Sequence, residues 1–304
     1  LIYCFKGEIY REMGLLKQSE QLIRHSIRLN PKDAGAWLAL VKTVEERQGP
    51  AAATAVFEDA KATITPDAAL FNKVGLCYSD QGLDDKALKC YEQALLQKPN
   101  DPSILANQGL ILGRQGKIKA ALGNYEQALR LKPNDAHLLN NKGFCLGQLE
   151  RYVEALRCYE KAIIGNSNKT DLGLIHNKAT CLSKLGRYKE ALACYDLVLE
   201  YNPADTITLN NRGLCLLSLG RIETALKCYA TALHLEPGNG VLWGNKGACL
   251  FKQGRYKQAL EAYEQAIKLT PAELAYYSGK GMCLDYLGRE EEAIACYNKA
   301  LKMV

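Results

Sequence analysis

The sequence predicts an all-α protein in which one pair of helices is repeated along the chain, and three observations indicate this. Small residues recur every 34 positions, a spacing that is interrupted once by a two-residue insertion. An alanine follows each of them after twelve residues, and a tyrosine follows after sixteen. Apolar residues within each interval keep the three-to-four spacing of helices. The small residues are Gly75, Gly109, Gly143, Ala179, Gly213, Gly247 and Gly281.

Each interval divides into two amphipathic helices, as the segment 206–239 illustrates. Leu209 and Leu216 lie on one face of a first helix, and Ile222 and Leu226 lie on one face of a second. A glycine, which readily ends a helix, stands between the two helices, and a proline near the end of most intervals stops the second one. The turn glycines are Gly82, Gly116, Gly186, Gly220, Gly254 and Gly288.

This pattern resembles the tetratricopeptide repeat (TPR) family, whose 34-residue repeat carries small residues at positions 8, 20 and 27, an aromatic residue at 24 and a proline at 32. The resemblance covers the whole chain as a single domain, 1–304. It implies a right-handed α-solenoid superhelix of helix-turn-helix repeats, with a concave groove lined by the first helices. Nine repeats are predicted, at 1–33, 34–67, 68–101, 102–135, 136–171, 172–205, 206–239, 240–273 and 274–304.

Composition limits the classes of partner. The 39 lysines and arginines exceed the 33 aspartates and glutamates by six, which is too mild a charge for a nucleic-acid-binding protein, so we expect no nucleic-acid partner. No run of about twenty apolar residues could span a bilayer. We therefore expect a soluble, cytoplasmic protein without membrane contact. Because the chain starts at Leu1 and not at methionine, we expect it to be part of a longer protein, and a removed N-terminal signal stays open.

Twelve cysteines would form a disulfide framework in a short secreted chain, whereas we expect reduced thiols in a chain of this length. Most of them recur at repeat positions 10 and 23, as small buried side chains would. No cysteine spacing typical of a metal site occurs, and the motifs of phosphate-binding loops and nucleophiles are absent. The sequence thus predicts no metal, no cofactor and no enzymatic activity. Position 10 holds Cys77, Cys145, Cys181, Cys215, Cys249 and Cys283.

The main candidate for binding is an asparagine row at position 6 of five consecutive first helices, formed by Asn107, Asn141, Asn177, Asn211 and Asn245. The TPR resemblance implies that position 6 faces the groove, together with positions 2, 5, 9, 12 and 13. An asparagine amide offers both a donor and an acceptor, which is what engagement of a peptide backbone requires. Neighbouring first helices recur at about 10 Å, close to three residues of extended peptide. The alternative is that these asparagines serve only groove hydration or local helix contacts.

Two further positions support the same groove. Asn140 and Asn210 add amides at position 5, and Phe144 and Leu214 belong to a mostly apolar row at position 9. Such a floor suits the apolar side chains of an extended ligand. The asparagine row also resembles the asparagine ladder in the TPR superhelix of O-linked N-acetylglucosamine transferase, although nothing here resembles that enzyme's catalytic domain.

A basic row occupies position 7, where the TPR family usually has leucine, and consists of Lys142, Lys178, Arg212, Lys246 and Lys280. Arginine also recurs at position 16, in Arg151, Arg187, Arg221, Arg255 and Arg289. The simpler interpretation is that these side chains pack their stems and keep their charges in water. The alternative is that they contact an acidic partner surface.

The functional prediction is a non-enzymatic scaffold that binds an extended peptide segment of another protein. Two alternatives are a regulatory or substrate-recruiting TPR segment of a larger enzyme, and a structural array that self-associates through its ends. The second follows from Val304, because stacked repeats need capping helices and none follows it in this chain. The segment 165–171, two residues longer than its counterparts, predicts either a local change of curvature or a hinge.

Overall fold

The computed structural model describes residues 2–165 and 171–302, in which eighteen α-helices follow one another and no strand occurs. They are α1 (Ile2–Glu12), α2 (Leu16–Leu29), α3 (Ala34–Gln48), α4 (Pro50–Thr63), α5 (Ala68–Asp80), α6 (Asp84–Gln97), α7 (Pro102–Arg114), α8 (Ile118–Leu131), α9 (Ala136–Gln148), α10 (Tyr152–Gly165), α11 (Leu172–Lys184), α12 (Tyr188–Tyr201), α13 (Thr206–Ser218), α14 (Ile222–Leu235), α15 (Gly240–Lys252), α16 (Tyr256–Leu269), α17 (Leu274–Tyr286) and α18 (Glu290–Leu301). The all-α array of nine helix-turn-helix repeats is confirmed.

The chain divides into two compact units, residues 1–150 with α1–α9 and residues 151–304 with α10–α18. Within each compact unit, every helix packs against its neighbours in sequence. The odd-numbered helices, which are the first helices of the repeats, also contact one another, as α11, α13 and α15 do. Most of the insertion at 165–171, for which a curvature change or hinge is predicted, lies outside the described residues.

Acidic or asparagine side chains begin seven of the first helices, a signal that the sequence analysis did not use. The Asp205 carboxylate, for example, accepts hydrogen bonds from the backbone N–H groups of Ile207 and Thr208. Each such cap stabilises its helix by about 1 kcal/mol. The capping residues are Asp33, Asp67, Asp101, Asp135, Asp171, Asp205 and Asn239.

Glycine in the left-handed region ends most first helices, as predicted. Gly220 has φ +74°, and the next residue, Arg221, donates its backbone N–H to the carbonyl of Leu216 at 2.8 Å. This closing bond pairs a carbonyl that the helix end would otherwise leave without a partner. In the repeat 136–171 the turn position is Glu150, which adopts φ +60° without being glycine, a conformation that a Cβ atom disfavours.

The core of most repeats is an aromatic ring seated against a small residue of the first helix, whereas in the first repeat Ile23 occupies the place of the ring. Tyr229 is fully buried, and a Cβ atom at Gly213 would lie 2.7 Å from its ring. Ala225 and Ala232, at positions 20 and 27, are also fully buried and let the helices approach closely. Positions 8, 20, 24 and 27 are therefore the packing positions of the fold.

Replacing Gly213 by alanine is expected to lower the free energy of unfolding by about 1–3 kcal/mol, the cost of overpacking a close-packed core. The matched control is Gly147→Ala, because an added Cβ there meets no heavy atom within 4 Å. The control should raise the free energy of unfolding by about 0.5–1 kcal/mol, since alanine favours a helix over glycine. Urea unfolding followed by circular dichroism measures both, and equal effects of the two substitutions would contradict the packing argument.

Candidate functional site

The asparagine row lies on consecutive first helices, with Asn107 and Asn141 in the first compact unit and Asn177, Asn211 and Asn245 in the second. All five side chains are half-buried. In the second compact unit they belong to α11, α13 and α15, which contact each other in turn. Three equivalent amides therefore lie on one series of packed helices.

Position-5 asparagines hydrogen-bond to position-6 asparagines of the following repeat. Asn107 donates from Nδ2 to Oδ1 of Asn72 at 3.0 Å, and Asn245 donates in the same way to Asn210 at 2.7 Å. Each of these bonds joins residues 35 positions apart. An amide has two N–H donors and an acceptor oxygen. Asn107 and Asn245 therefore each keep, within the described part of the chain, one N–H and the carbonyl oxygen for a ligand.

The apolar residues at position 9 stand beside this row and are open to solvent. Phe144 is 52% exposed, Leu110 is 50% exposed and Leu214 is 38% exposed. Ile207, at position 2 of its repeat, is 64% exposed. Exposed apolar side chains next to half-buried amides form a surface that can take both the side chains and the backbone of a bound segment.

Two surface pockets adjoin the predicted groove positions. One, of about 210 Å³, lies in the second compact unit and is lined by His176, Asn177 and Ile207 among others. The other, of about 310 Å³, lies in the first compact unit beside Asn72 and Leu76. Each pocket has room for one or two side chains of a bound peptide and is too small for a large cofactor.

His176 is a residue that the sequence analysis missed. Its Nδ1 lies 2.7 Å from the hydroxyl oxygen of Thr208, and that hydroxyl donates its single hydrogen to Oδ2 of Asp205 at 2.7 Å. The Thr208 oxygen must therefore accept from Nδ1–H, which leaves Nε2 of the neutral ring as an acceptor. Thr208 lies in the first helix of the following repeat and Asp205 caps that helix, so a comparison of the repeat positions of the histidines could not find the network.

The basic row is largely occupied by internal ion pairs. Four of its five members pair with a carboxylate from the second helix of the preceding repeat. The N···O distances are 3.1 Å for Lys142–Glu126, 3.4 Å for Lys178–Glu160, 2.7 Å for Arg212–Asp196 and 2.8 Å for Lys280–Glu264. The fifth, Lys246, lies 4.7 Å from the centre of the Trp243 ring instead. This geometry favours the simpler interpretation of the row, and contact with an acidic partner stays a prediction.

The position-10 cysteines are packing residues. All six are buried, with at most 5% of Cys181 exposed, which confirms their predicted role as small core side chains. Burial raises the pKa of the Cys145, Cys181, Cys249 and Cys283 thiols to about 11. Among residues 2–165 and 171–302, no cysteine forms a disulfide and no group of three metal-ligating side chains converges.

The family follows from the comparisons with known proteins. Profiles described as tetratricopeptide repeat match residues 2–33, 68–101, 105–211, 207–239 and 239–304. Together they span most of the chain, which therefore belongs to the tetratricopeptide repeat family. No curated protein matches it. In the described residues, no helix has both the length and the apolarity needed to cross a membrane.

Several solved structures share this architecture. YrrB, described as a TPR protein with an unusual peptide-binding site, is 25% identical with a TM-score of 0.50, over 62% of this chain and 96% of its own. A tetratricopeptide repeat protein from Parabacteroides merdae is 17% identical with a TM-score of 0.57, over 93% of this chain and 97% of its own. MamA from Desulfovibrio magneticus RS-1 is 21% identical with a TM-score of 0.50, over 55% of this chain and 94% of its own. The last two show the fold alone.

The buried thiols are expected to react slowly in the folded protein. A pKa of about 11 in place of the ordinary 9.0 lowers the thiolate fraction at pH 8 about 100-fold, and the thiolate is the reactive species. Alkylation with iodoacetamide, followed by mass spectrometry of the peptides, measures the rate at each cysteine. The unfolded chain in guanidinium is the control, and fast labelling of most position-10 cysteines in the native protein would refute the packing role.

His176 is expected to titrate below the ordinary histidine value of about 6.5. Burial lowers the pKa of His176, and the nearby Asp205 carboxylate only partly opposes this shift. The free energy of unfolding should fall as the pH drops from about 6.5 towards that lower pKa, because the unfolded chain takes up the proton first. Long-range ¹⁵N NMR should show the Nδ1–H tautomer at pH 7. A protonated Nε2 at that pH, or a pKa above the one measured in urea, would contradict the hydrogen-bond network.

Proposed function

We propose that this chain is a non-enzymatic scaffold that binds an extended segment of a partner protein along its first helices. The asparagine row contacts the peptide backbone, and the exposed position-9 residues contact its apolar side chains. Asn140 and Asn210 contribute by orienting or extending this polar surface. The ligand in this proposal is a protein segment, without a metal or cofactor.

The observation that carries the proposal is the common register of three amides in the second compact unit. Asn177, Asn211 and Asn245 occupy the same position on α11, α13 and α15, which pack one after another. Packed helices lie about 10 Å apart, and a strand rises about 3.3 Å per residue. Every third residue of an extended peptide would thus meet the next amide of the series.

The energy of such an arrangement comes from repetition. A single hydrogen bond contributes about 0.5–1.5 kcal/mol net, too little to hold a peptide alone. Leu214, at position 9 of the repeat that contains Asn211, offers apolar contact area as well. Since backbone contacts do not distinguish side chains, specificity would come from the position-9 residues and from the pocket beside Asn177.

The comparisons support protein binding as a general function, since TPR proteins serve as interaction scaffolds and YrrB is described as having a peptide-binding site. The likeness of the row to the ladder of O-linked N-acetylglucosamine transferase stays a resemblance of sequence. A TPR segment of a larger enzyme and a self-associating array remain the alternatives. The full open reading frame and sedimentation at increasing protein concentration distinguish these two from a separate peptide-binding scaffold.

The asparagine row is tested with peptides selected from a displayed library of twelve-residue sequences. Replacing Asn141, Asn177 and Asn211 together by alanine should lower the affinity for the selected peptides at least tenfold. About 0.5–1.5 kcal/mol of binding free energy is lost per hydrogen bond. Fluorescence anisotropy with labelled peptide measures the affinity, and circular dichroism checks that helicity is kept. Methylation of alternate backbone nitrogens of the peptide should weaken binding similarly. It removes peptide N–H groups that donate hydrogen bonds to the asparagine side-chain oxygens.

The matched control is Asn298→Ala, an exposed asparagine on α18, a second helix. It should leave peptide affinity unchanged. If the triple variant binds the selected peptides as tightly as the unsubstituted chain does, the asparagine row does not bind backbone and the proposal fails.

A further inference from the structure

A surface pocket lies between α15 and α16, and we call it the α15–α16 pocket. Its volume is about 690 Å³, and its lining includes Trp243, Lys246, Leu250, Arg255 and Glu261. In the repeat 240–273 these are positions 4, 7, 11, 16 and 22. None is a groove position of the TPR family, so the pocket is separate from the asparagine row.

The first unusual feature of the pocket is a lysine without its carboxylate. In four other repeats, the basic residue at position 7 pairs with a Glu or Asp at position 25 of the preceding repeat. Before Lys246 that position is Ala230, which is exposed and has no charge. The ammonium lies over the Trp243 ring at 4.7 Å, a weaker interaction than an ion pair with a hydrogen bond.

The second unusual feature is Arg255, an arginine that also has no carboxylate partner. Arg151, Arg187 and Arg289 each bind a glutamate three residues later through two parallel hydrogen bonds of 2.6–2.7 Å. In this repeat the residue three positions after Arg255 is Gln258. Arg255 donates instead to the neutral amide of Gln253 at 3.1 Å.

Two cations therefore line one pocket without the carboxylates that most of their equivalents have; Arg221, which Thr224 follows at the same spacing, also lacks one. Within residues 2–165 and 171–302, neither Lys246 nor Arg255 has a carboxylate oxygen within 4 Å. Glu261 lines the pocket but pairs with neither of them. Two positive charges against one negative charge leave the pocket with a net charge of +1, which a single carboxylate would neutralise.

We propose that the α15–α16 pocket binds the side-chain carboxylate of a glutamate or aspartate in a partner protein. The carboxylate takes the place of the two that Ala230 and Gln258 do not supply, and reaches both Lys246 and Arg255. The Trp243 ring and the buried Leu250 side chain accept an apolar residue next to that acid. The proposal is independent of the groove, because it uses other residues on another face of the repeat.

The test uses the full chain and two blocked peptides, Ac-Leu-Glu-Leu-NH₂ and Ac-Leu-Gln-Leu-NH₂, with the protein labelled with ¹⁵N at its two tryptophans. The glutamate peptide should shift the indole N–H signal of Trp243 and leave that of Trp37 unchanged. The glutamine peptide should bind at least tenfold more weakly. Raising the salt concentration should weaken binding of the glutamate peptide, because exposed charges are screened.

The decisive variant supplies the pocket with carboxylates from the chain itself. Ala230→Glu and Gln258→Glu together restore the internal carboxylates while leaving both cations in place, and glutamate suits an exposed helix position. This double variant should fold normally and bind the glutamate peptide at least tenfold more weakly. The same double variant should bind the twelve-residue groove peptides unchanged, so the two proposals fail separately.

Four outcomes would overturn the proposal. They are equal binding of the two peptides, unchanged binding by the double variant, inorganic phosphate shifting Trp243 at the same concentration as the glutamate peptide, and a shift of Trp243 with protein concentration alone. The third would indicate a general anion site. The fourth would indicate that a second copy of this chain covers the pocket.

Discussion

The array depends on a contact that recurs from the third repeat onward, between the tyrosine at position 24 and the small residue at position 8 of the same repeat. The rings of Tyr91 and Tyr229 are fully buried and occupy the space where a Cβ atom of Gly75 or Gly213 would stand. Because interiors are packed as densely as crystals, this contact fixes the distance between the first and second helix. Every repeat then presents the same face of its first helix, which is why one position can form a row.

Polar contacts between successive repeats add to the apolar packing and help to set the register of the repeats. Arg212 reaches back to Asp196, and Asn245 reaches back to Asn210. Each exposed ion pair stabilises little, about 0–1 kcal/mol. A pair that recurs from repeat to repeat nevertheless favours one alignment over others. At Ala230 the series lacks a carboxylate, so Lys246 has no internal ion pair. The proposed binding pocket and the missing ion pair therefore have the same cause.

Much of the fold could be predicted from the sequence, whereas the chemistry of the groove could be predicted only in part. The glycine, alanine and tyrosine spacing fixed the helix pairs, because packing positions within one repeat lie close together in the chain. The capping aspartates such as Asp205 were equally local and could have been found from their place before each first helix. The sharing of the Asn107 amide with Asn72, and the engagement of His176 with Thr208, could not, since their partners lie 35 and 32 residues away.

The sequence by itself determined that this chain is an array of TPR helix pairs and which residues recur at each packing position, because those depend on spacing along single helices. Only the tertiary structure decided how the polar side chains are used. It paired Lys142 with Glu126, oriented the His176 ring, and left Lys246 and Arg255 without carboxylates in one pocket. The physical reason is that hydrogen bonds and ion pairs depend on distances of about 3 Å, which exist only after separate helices have packed.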